Sequence, residues 1–271
     1  MKKTLILLLA LFAILSLTAC SEPVTQEHTP LSETSLVIGV TAGPHEEIME
    51  KVKEIAARDG LAIDIKVFTD YVLPNIALAE GDLDINSFQH KPYLDNFKSE
   101  RSLDLIEIAN TVNFPMGIYS KDLTSLSDLK EGDSVALPND PTNGARALIL
   151  FESANLIKLA DNVGVEATVL DIVENPLNLN FVELEASQLP RQLGEVDAAA
   201  INANYAIEHS YVPTEDSIFL EPSDAPWVNV IAVRTENKDD VVLDKLVTIY
   251  QSEEVRQFIV DRFQGSIIPG W

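Results

Sequence analysis

Cysteine is nearly missing from this chain: Cys20 is the only one in 271 residues. A single thiol excludes an intramolecular disulfide and a cysteine-based zinc site, and it leaves no cysteine nucleophile for the body of the protein. Basic residues are also scarce, with 19 Lys and Arg against 43 Asp and Glu and a formal net charge of -24. Nucleic-acid phosphates need a basic face, so this balance argues against a nucleic-acid partner. The four histidines (His28, His45, His90, His209) are scattered without metal-ligand spacing. "HEEIM" opens like a zincin helix but carries Met49 where the second histidine would stand. Neither a G-x-S-x-G elbow nor a Walker loop occurs, so no hydrolase or nucleotide signature supports catalysis. The expectation is a protein with no catalytic residue, no cofactor and no metal. No short-period repeat is visible.

What is present begins at the N-terminus. Lys2 and Lys3 precede "TLILLLALFAILSL", an apolar run too short to favour a stable span, which leads into Leu17-Thr18-Ala19-Cys20. That tetrad resembles a bacterial lipobox, in which cleavage precedes a cysteine that is then lipidated. Residues 1–19 are thus expected to be a signal peptide and Cys20 the lipid-bearing residue. Residues 20–35 are polar, with two prolines and no apolar period, and read as a flexible tether. No later stretch is apolar and long enough to span a bilayer, so the body is expected to be soluble and lipid-anchored to a membrane.

The body alternates short apolar strands with helical spacing, which predicts an α/β fold with mostly parallel sheets. Strand-like runs are "SLVIGV", "LAIDIKVF", "LDINSF" and "LDLIEIA", interleaved with helices at 44–58, 72–80 and 92–98. A second set starts near Phe114, with "MGIYS", "DSVALP", "TVLDIV", "FVELE" and "VDAAAIN" as strands and a helix from Thr142 to Ala154. "SQLPRQL" begins another helix. "WVNVIAVR" is a further strand, and Val242, Leu246, Ile249, Val255 and Ile259 predict one long helix over 239–263. Ligands in such folds favour the crevice beyond strand C-termini.

Several residues stand where such a crevice would be lined. Tyr71 lies at a strand-to-helix turn, and Phe88, His90 and Tyr93 lie at the end of a strand and the start of the next helix. Asn202 ends an apolar strand. Asn229 sits inside another, where an unpaired amide costs about 1–3 kcal/mol. "DPTNGARAL" (Asp140 to Leu148) reads as a turn opening a helix whose N-terminus attracts anions. Its Arg146 either caps a structural carboxylate or waits for one from outside.

"GVTAGPHEEI", "FTDYVLPN", "NSFQHKPYLD", "LPNDPTNGARAL", "VELEASQLPRQL" and "AINANYA", closed by Trp271, resemble the methionine-binding lipoproteins of ABC importers, the NlpA lipoprotein family. The resemblance implies a two-lobed periplasmic-binding-protein fold of type II. Lobe 1 would span residues 36–113 and 228–271, and lobe 2 residues 114–227. It also implies methionine or a close analogue in the cleft, and delivery to a membrane permease driven by a cytoplasmic ATPase. By matching position, Asn143 and Arg146 would hold the ligand carboxylate, and Asn202 and Asn229 the other polar groups of the zwitterion. Tyr71, Phe88, His90 and Tyr93 would enclose the thioether. Arg146 is then expected to contribute nothing to the ligand-free fold. Members differ in taking L-methionine, D-methionine, the sulfoxide or a methionine-containing dipeptide. The opposing reading is an accessory or surface lipoprotein that acts through protein contacts.

Overall fold

The computed structural model describes residues 29–223 and 225–271. The proposed signal peptide and Cys20 lie outside the described residues. The chain first lays down β1 (Ser35–Thr41), α1 (Pro44–Arg58), β2 (Ala62–Phe68), α2 (Leu73–Glu80), β3 (Ile85–His90), α3 (Lys91–Arg101) and β4 (Leu105–Asn113). A second run follows with β5 (Gly117–Tyr119), β6 (Ser134–Pro138), α4 (Pro141–Ser153), the short ribbon β7 (Lys158–Leu159) and β8 (Ile172–Glu174), and β9 (Asn180–Leu184). It continues through α5 (Leu189–Gln192), β10 (Ala198–Ile201), α6 (Ala203–Glu208), α7 (Pro213–Asp216) and β11 (Phe219–Leu220). The chain then returns as β12 (Val228–Arg234), α8 (Val241–Tyr250), α9 (Glu253–Phe263) and β13 (Ile268–Pro269).

Two sheets result, ordered β13-β4-β12-β3-β1-β2 and β11-β5-β10-β6-β9. In the first, β2, β1 and β3 are parallel and β12 joins β3 antiparallel. In the second, β9, β6 and β10 are parallel and β5 joins β10 antiparallel. Both sheets repeat one plan. β5, the first strand after the crossover, and β12, the strand of the return, fill equivalent antiparallel positions. This is the two-lobed, strand-exchanging α/β architecture of type II periplasmic binding proteins.

Each sheet carries its own core, as alternate strand residues and one helix stripe require. Ile38 and Val40 of β1 pack with Ile48 and Val52 of α1 and with Leu246 and Ile249 of α8. In the second lobe, Val135 and Leu137 of β6 pack with Leu148 and Phe151 of α4. Burying one such side chain contributes about 1.5–3 kcal/mol. Gly144 lets α4 close on β6: a Cβ there would stand 2.9 Å from the Pro138 carbonyl oxygen.

Three sequence expectations are corrected, the first being the mostly parallel sheets: the antiparallel pairings made by β4, β5, β11, β12 and β13 outnumber the parallel ones. The single helix over 239–263 is two helices, broken at Gln251-Ser252, where the Ser252 hydroxyl accepts from Val255 N–H at 3.4 Å and caps α9. The apolar period runs through the break because Val242, Leu246, Ile249, Val255 and Ile259 all enter the same core. "TVLDIV" is only half strand. The Thr168 hydroxyl and backbone N–H both donate to Asp171, winding a turn that leaves Leu170 91% exposed before β8.

Among the described residues, no helix is long and apolar enough to cross a membrane. None of their His, Cys, Asp and Glu form a group able to hold a metal ion.

Candidate functional site

The two lobes meet around a narrow cleft with an internal volume of about 20 Å³. That is room for about one water, so a larger ligand needs the lobes to part. All eight ligand-site residues singled out in the sequence line it, and so do His45, Gln89, Phe114 and Asn204. The first lobe supplies Tyr71 before α2, Phe88 and His90 on β3, Tyr93 on α3 and Asn229 on β12. The second supplies Asn143 and Arg146 on α4, Asn202 after β10 and Asn204 on α6.

One wall is aromatic. The rings of Tyr71, Phe88 and Tyr93 form a triangle with centroids 5.9, 5.9 and 6.2 Å apart. Tilted and edge-on pairs at these distances are the favoured aromatic geometries. Tyr93 Oη donates to the Tyr71 backbone oxygen at 3.0 Å, and Tyr71 Oη donates across the cleft to Asn204 Oδ1 at 2.6 Å. Burial pushes the Tyr71 phenol well above its usual pKa, so it remains a donor.

Asn143 is the hub of a polar network. Its Nδ2 lies 3.0 Å from both carboxylate oxygens of Asp140, and its Oδ1 accepts from Asn202 Nδ2 at 2.8 Å. That oxygen also meets His90 Nε2 at 3.2 Å. Because the Tyr93 N–H donates to His90 Nδ1 at 3.1 Å, the ring proton sits on Nε2 and is donated to Asn143. Burial, assisted by the nearby Arg146 charge, lowers the pKa of His90 to about 3, so it is neutral. Two features of the start of α4 stand out. The anion at the start of α4 is Asp140 itself, which accepts the Asn143 N–H at 2.9 Å, and burial raises the pKa of that carboxyl. Asn143 has both of its side-chain polar atoms engaged inside the protein and braces neighbouring residues across the lobes.

Arg146 also departs from expectation. Its Nε donates to Glu221 Oε1 at 3.0 Å, and its Nη2 donates to Glu221 Oε2 and, at 2.7 Å, to the Phe114 backbone oxygen. Of the two readings left open by the sequence, the structure shows the structural carboxylate, Glu221. These bonds leave Nη1 as the remaining guanidinium nitrogen at the cleft, with Trp227 beneath the group at 5.3 Å. Among the described residues, Arg146 is the only charged one lining the cavity, and Glu221 pairs with it from behind. A second carboxylate, Asp140, stands behind Asn143, so the site carries no excess positive charge.

Three amides offer polar atoms to whatever fills the cleft. Asn202 Oδ1 and Asn204 Nδ2 are buried without a partner among the described residues. Asn229 Nδ2 donates to the Phe88 carbonyl at 3.2 Å and lies 2.9 Å from His45 Nε2, which leaves its Oδ1 as the remaining acceptor. Sequence reasoning missed Asn204, although it lies in the same "INANYA" stretch as Asn202. It weighed His45 only as a metal ligand. Glu221 carried no local signal, because it reaches Arg146 from 75 positions away.

Lobes, exchanged strands and an enclosed cleft with polar and aromatic walls define a binding protein for a small molecule. The chain belongs to the NlpA lipoprotein family, whose model matches residues 36–271. It is 44% identical over 263 residues to outer membrane lipoprotein 3 of Mannheimia haemolytica, covering 97% of this chain and 96% of that one. It is 43% identical over 265 residues to the D-methionine-binding lipoprotein MetQ of Escherichia coli K12, again covering 97% and 96%. A nutrient-binding protein from Burkholderia cenocepacia, solved bound to methionine, superimposes with a TM-score of 0.85 at 46% identity, covering 87% of this chain and all of that one.

Proposed function

We propose that this protein is the substrate-binding lipoprotein of an ABC importer. It holds methionine between its lobes and delivers it to a membrane permease driven by a cytoplasmic ATPase. It acts by binding and catalyses no reaction. The observation that carries this reading is the character of the cleft: one arginine paired from behind, with both donors and acceptors beside an aromatic wall. Arg146 Nη1 and Asn204 Nδ2 suit a carboxylate, and Asn202 Oδ1 and Asn229 Oδ1 suit an ammonium. A thioether against Tyr71, Phe88 and Tyr93 gains about 0.3–1.5 kcal/mol per sulfur–aromatic contact. The named ligands of the E. coli relative and the B. cenocepacia structure support the same choice.

The proposed lobes are residues 36–113 with 228–271, and 114–227. Residues 1–19 are the proposed signal peptide, with Cys20 lipidated and the residues after it tethering the body to the outer face of a cell membrane. The expected tether over 20–35 is shortened, because Leu31 enters the first core and its N–H donates to Asp240 at 2.8 Å. Native mass spectrometry of protein purified without added ligand tests the ligand: a retained mass equal to methionine is expected, and a different mass would overturn the assignment. Fatty-acid-analogue labelling should mark the wild type but not Cys20→Ser; label surviving the substitution would refute the anchor.

A further inference from the structure

His45 lies in the wall of the cleft, 5% exposed, with its ring 4.3 Å from that of Phe114 and tilted 30° to it. The His45 ring touches two polar side chains. Nδ1 is 2.8 Å from Thr41 Oγ1, and Nε2 is 2.9 Å from Asn229 Nδ2. The same Asn229 nitrogen is 3.2 Å from the Phe88 carbonyl oxygen. A carbonyl can only accept, so the amide atom facing it must be the nitrogen; turning the amide over would set two oxygens against each other. The nitrogen therefore spends its two protons on Phe88 and on His45. His45 Nε2 must then accept, and the ring proton must sit on Nδ1 and go to Thr41. Burial keeps the ring in this neutral form, with a pKa lowered to about 3.

We propose that His45 is a positioning residue for ligand selection: in its Nδ1–H form it locks the Asn229 amide so that Oδ1 faces the cleft as an acceptor for the ligand's ammonium. The inference rests on the reading of the cleft as an amino-acid site. Were the proton on Nε2, it would be aimed at Asn229 and favour the turned amide, presenting an N–H to an incoming ammonium. Selection for the α-amino group is thus set by a ring that need not touch it.

The test compares methionine with its des-amino analogue, 4-(methylthio)butanoate, by calorimetry on the wild type, His45→Ala, His45→Gln and Thr41→Val. The wild type should prefer methionine. His45→Ala should reduce that preference about tenfold, with the methionine affinity falling and that of the analogue falling much less. Glutamine, whose Oε1 can accept from Asn229 Nδ2, should restore most of the preference. Thr41→Val, which removes the acceptor that holds the Nδ1 proton, should reduce it several-fold. A loss of equal size for both ligands would show a packing role only and overturn the proposal. A wild type that binds neither ligand would overturn the methionine reading itself. Long-range proton–nitrogen spectra of the wild type give a readout independent of any ligand. A His45 proton on Nδ1 is expected, and one on Nε2 would refute the inference even where methionine binds.

Discussion

Arg146 and Glu221 form a buried, two-pronged ion pair between α4 and the segment after β11, the arginine 3% and the glutamate 7% exposed. Glu221 Oε2 also accepts the Met116 N–H at 3.1 Å, so the pair ties α4 to the strand that follows the crossover. Removing one partner of a buried pair leaves the other charge uncompensated, at a cost of about 3–5 kcal/mol. Arg146→Ala should therefore lower ligand-free stability by that order in urea unfolding, and methionine affinity should fall as well. Arg146→Met combined with Glu221→Met should recover most of the stability but not the affinity. A double variant that binds methionine normally would remove Arg146 from the site.

The aromatic triangle sets the side-chain preference. Methionine should exceed norleucine by about 0.3–1.5 kcal/mol, up to roughly tenfold in Kd, the scale of one sulfur–aromatic contact. Lysine and glutamate side chains should be rejected far more strongly, because the wall offers no fixed opposite charge. Calorimetry showing equal affinity for methionine and lysine would refute this wall. Phe88 is itself buried against Tyr93 and Phe97. Phe88→Ala should consequently cost stability on the scale of about 3–5 kcal/mol, and Phe88→Leu is the cleaner probe of binding.

Direct bonds between the lobes hold the closed form, among them Tyr71 to Asn204 at 2.6 Å and His90 to Asn143 at 3.2 Å. A ligand shifts closure only through its differential affinity for the two forms. Tyr71→Phe removes one interlobe bond, worth about 0.5–1.5 kcal/mol net. It should raise the methionine Kd up to roughly tenfold, and small-angle scattering should show a more expanded ligand-free particle that compacts on adding methionine. An unchanged profile in both states would contradict a closing cleft.

The two buried histidines set a pH dependence. His45 and His90 have native pKa values of about 3 against an ordinary value of 6.5, so the native state binds fewer protons than the unfolded chain. Stability is then fully present above pH 6.5 and falls as the pH drops toward 3. At pH 5 each histidine forfeits about 2 kcal/mol, from 1.36 kcal/mol per pKa unit. Urea unfolding at pH 7 and pH 5 should show His90→Gln losing less than the wild type by about that amount. Equal slopes would mean that His90 is not buried neutral.

Much of this arrangement was legible because it is written in local pattern. Asn229 stood out as an amide in an apolar strand, and Phe88 and His90 because strand alternation ends in a proline-initiated helix. Asp140, Pro141 and Gly144 announced the start of α4. What could not be read depends on distant neighbours. Arg146 has a local motif, but its carboxylate arrives from Glu221 after most of the second lobe has been laid down. Asn143 likewise has a local motif, but its bonds to Asn202 and His90 join it to residues 59 and 53 positions away. The break between α8 and α9 was hidden because two helices packed on one core keep one apolar period.

The most direct test is calorimetric titration of methionine into ligand-stripped protein, carried out on the wild type, Asn202→Ala and Asn229→Ala. One methionine per chain is expected. Each asparagine truncation should weaken binding by about 2–5 kcal/mol, the scale for losing one partner of a desolvated charged group. Wild-type protein that takes up no methionine, or truncations that bind it as tightly as the wild type, would contradict a methionine site in this cleft.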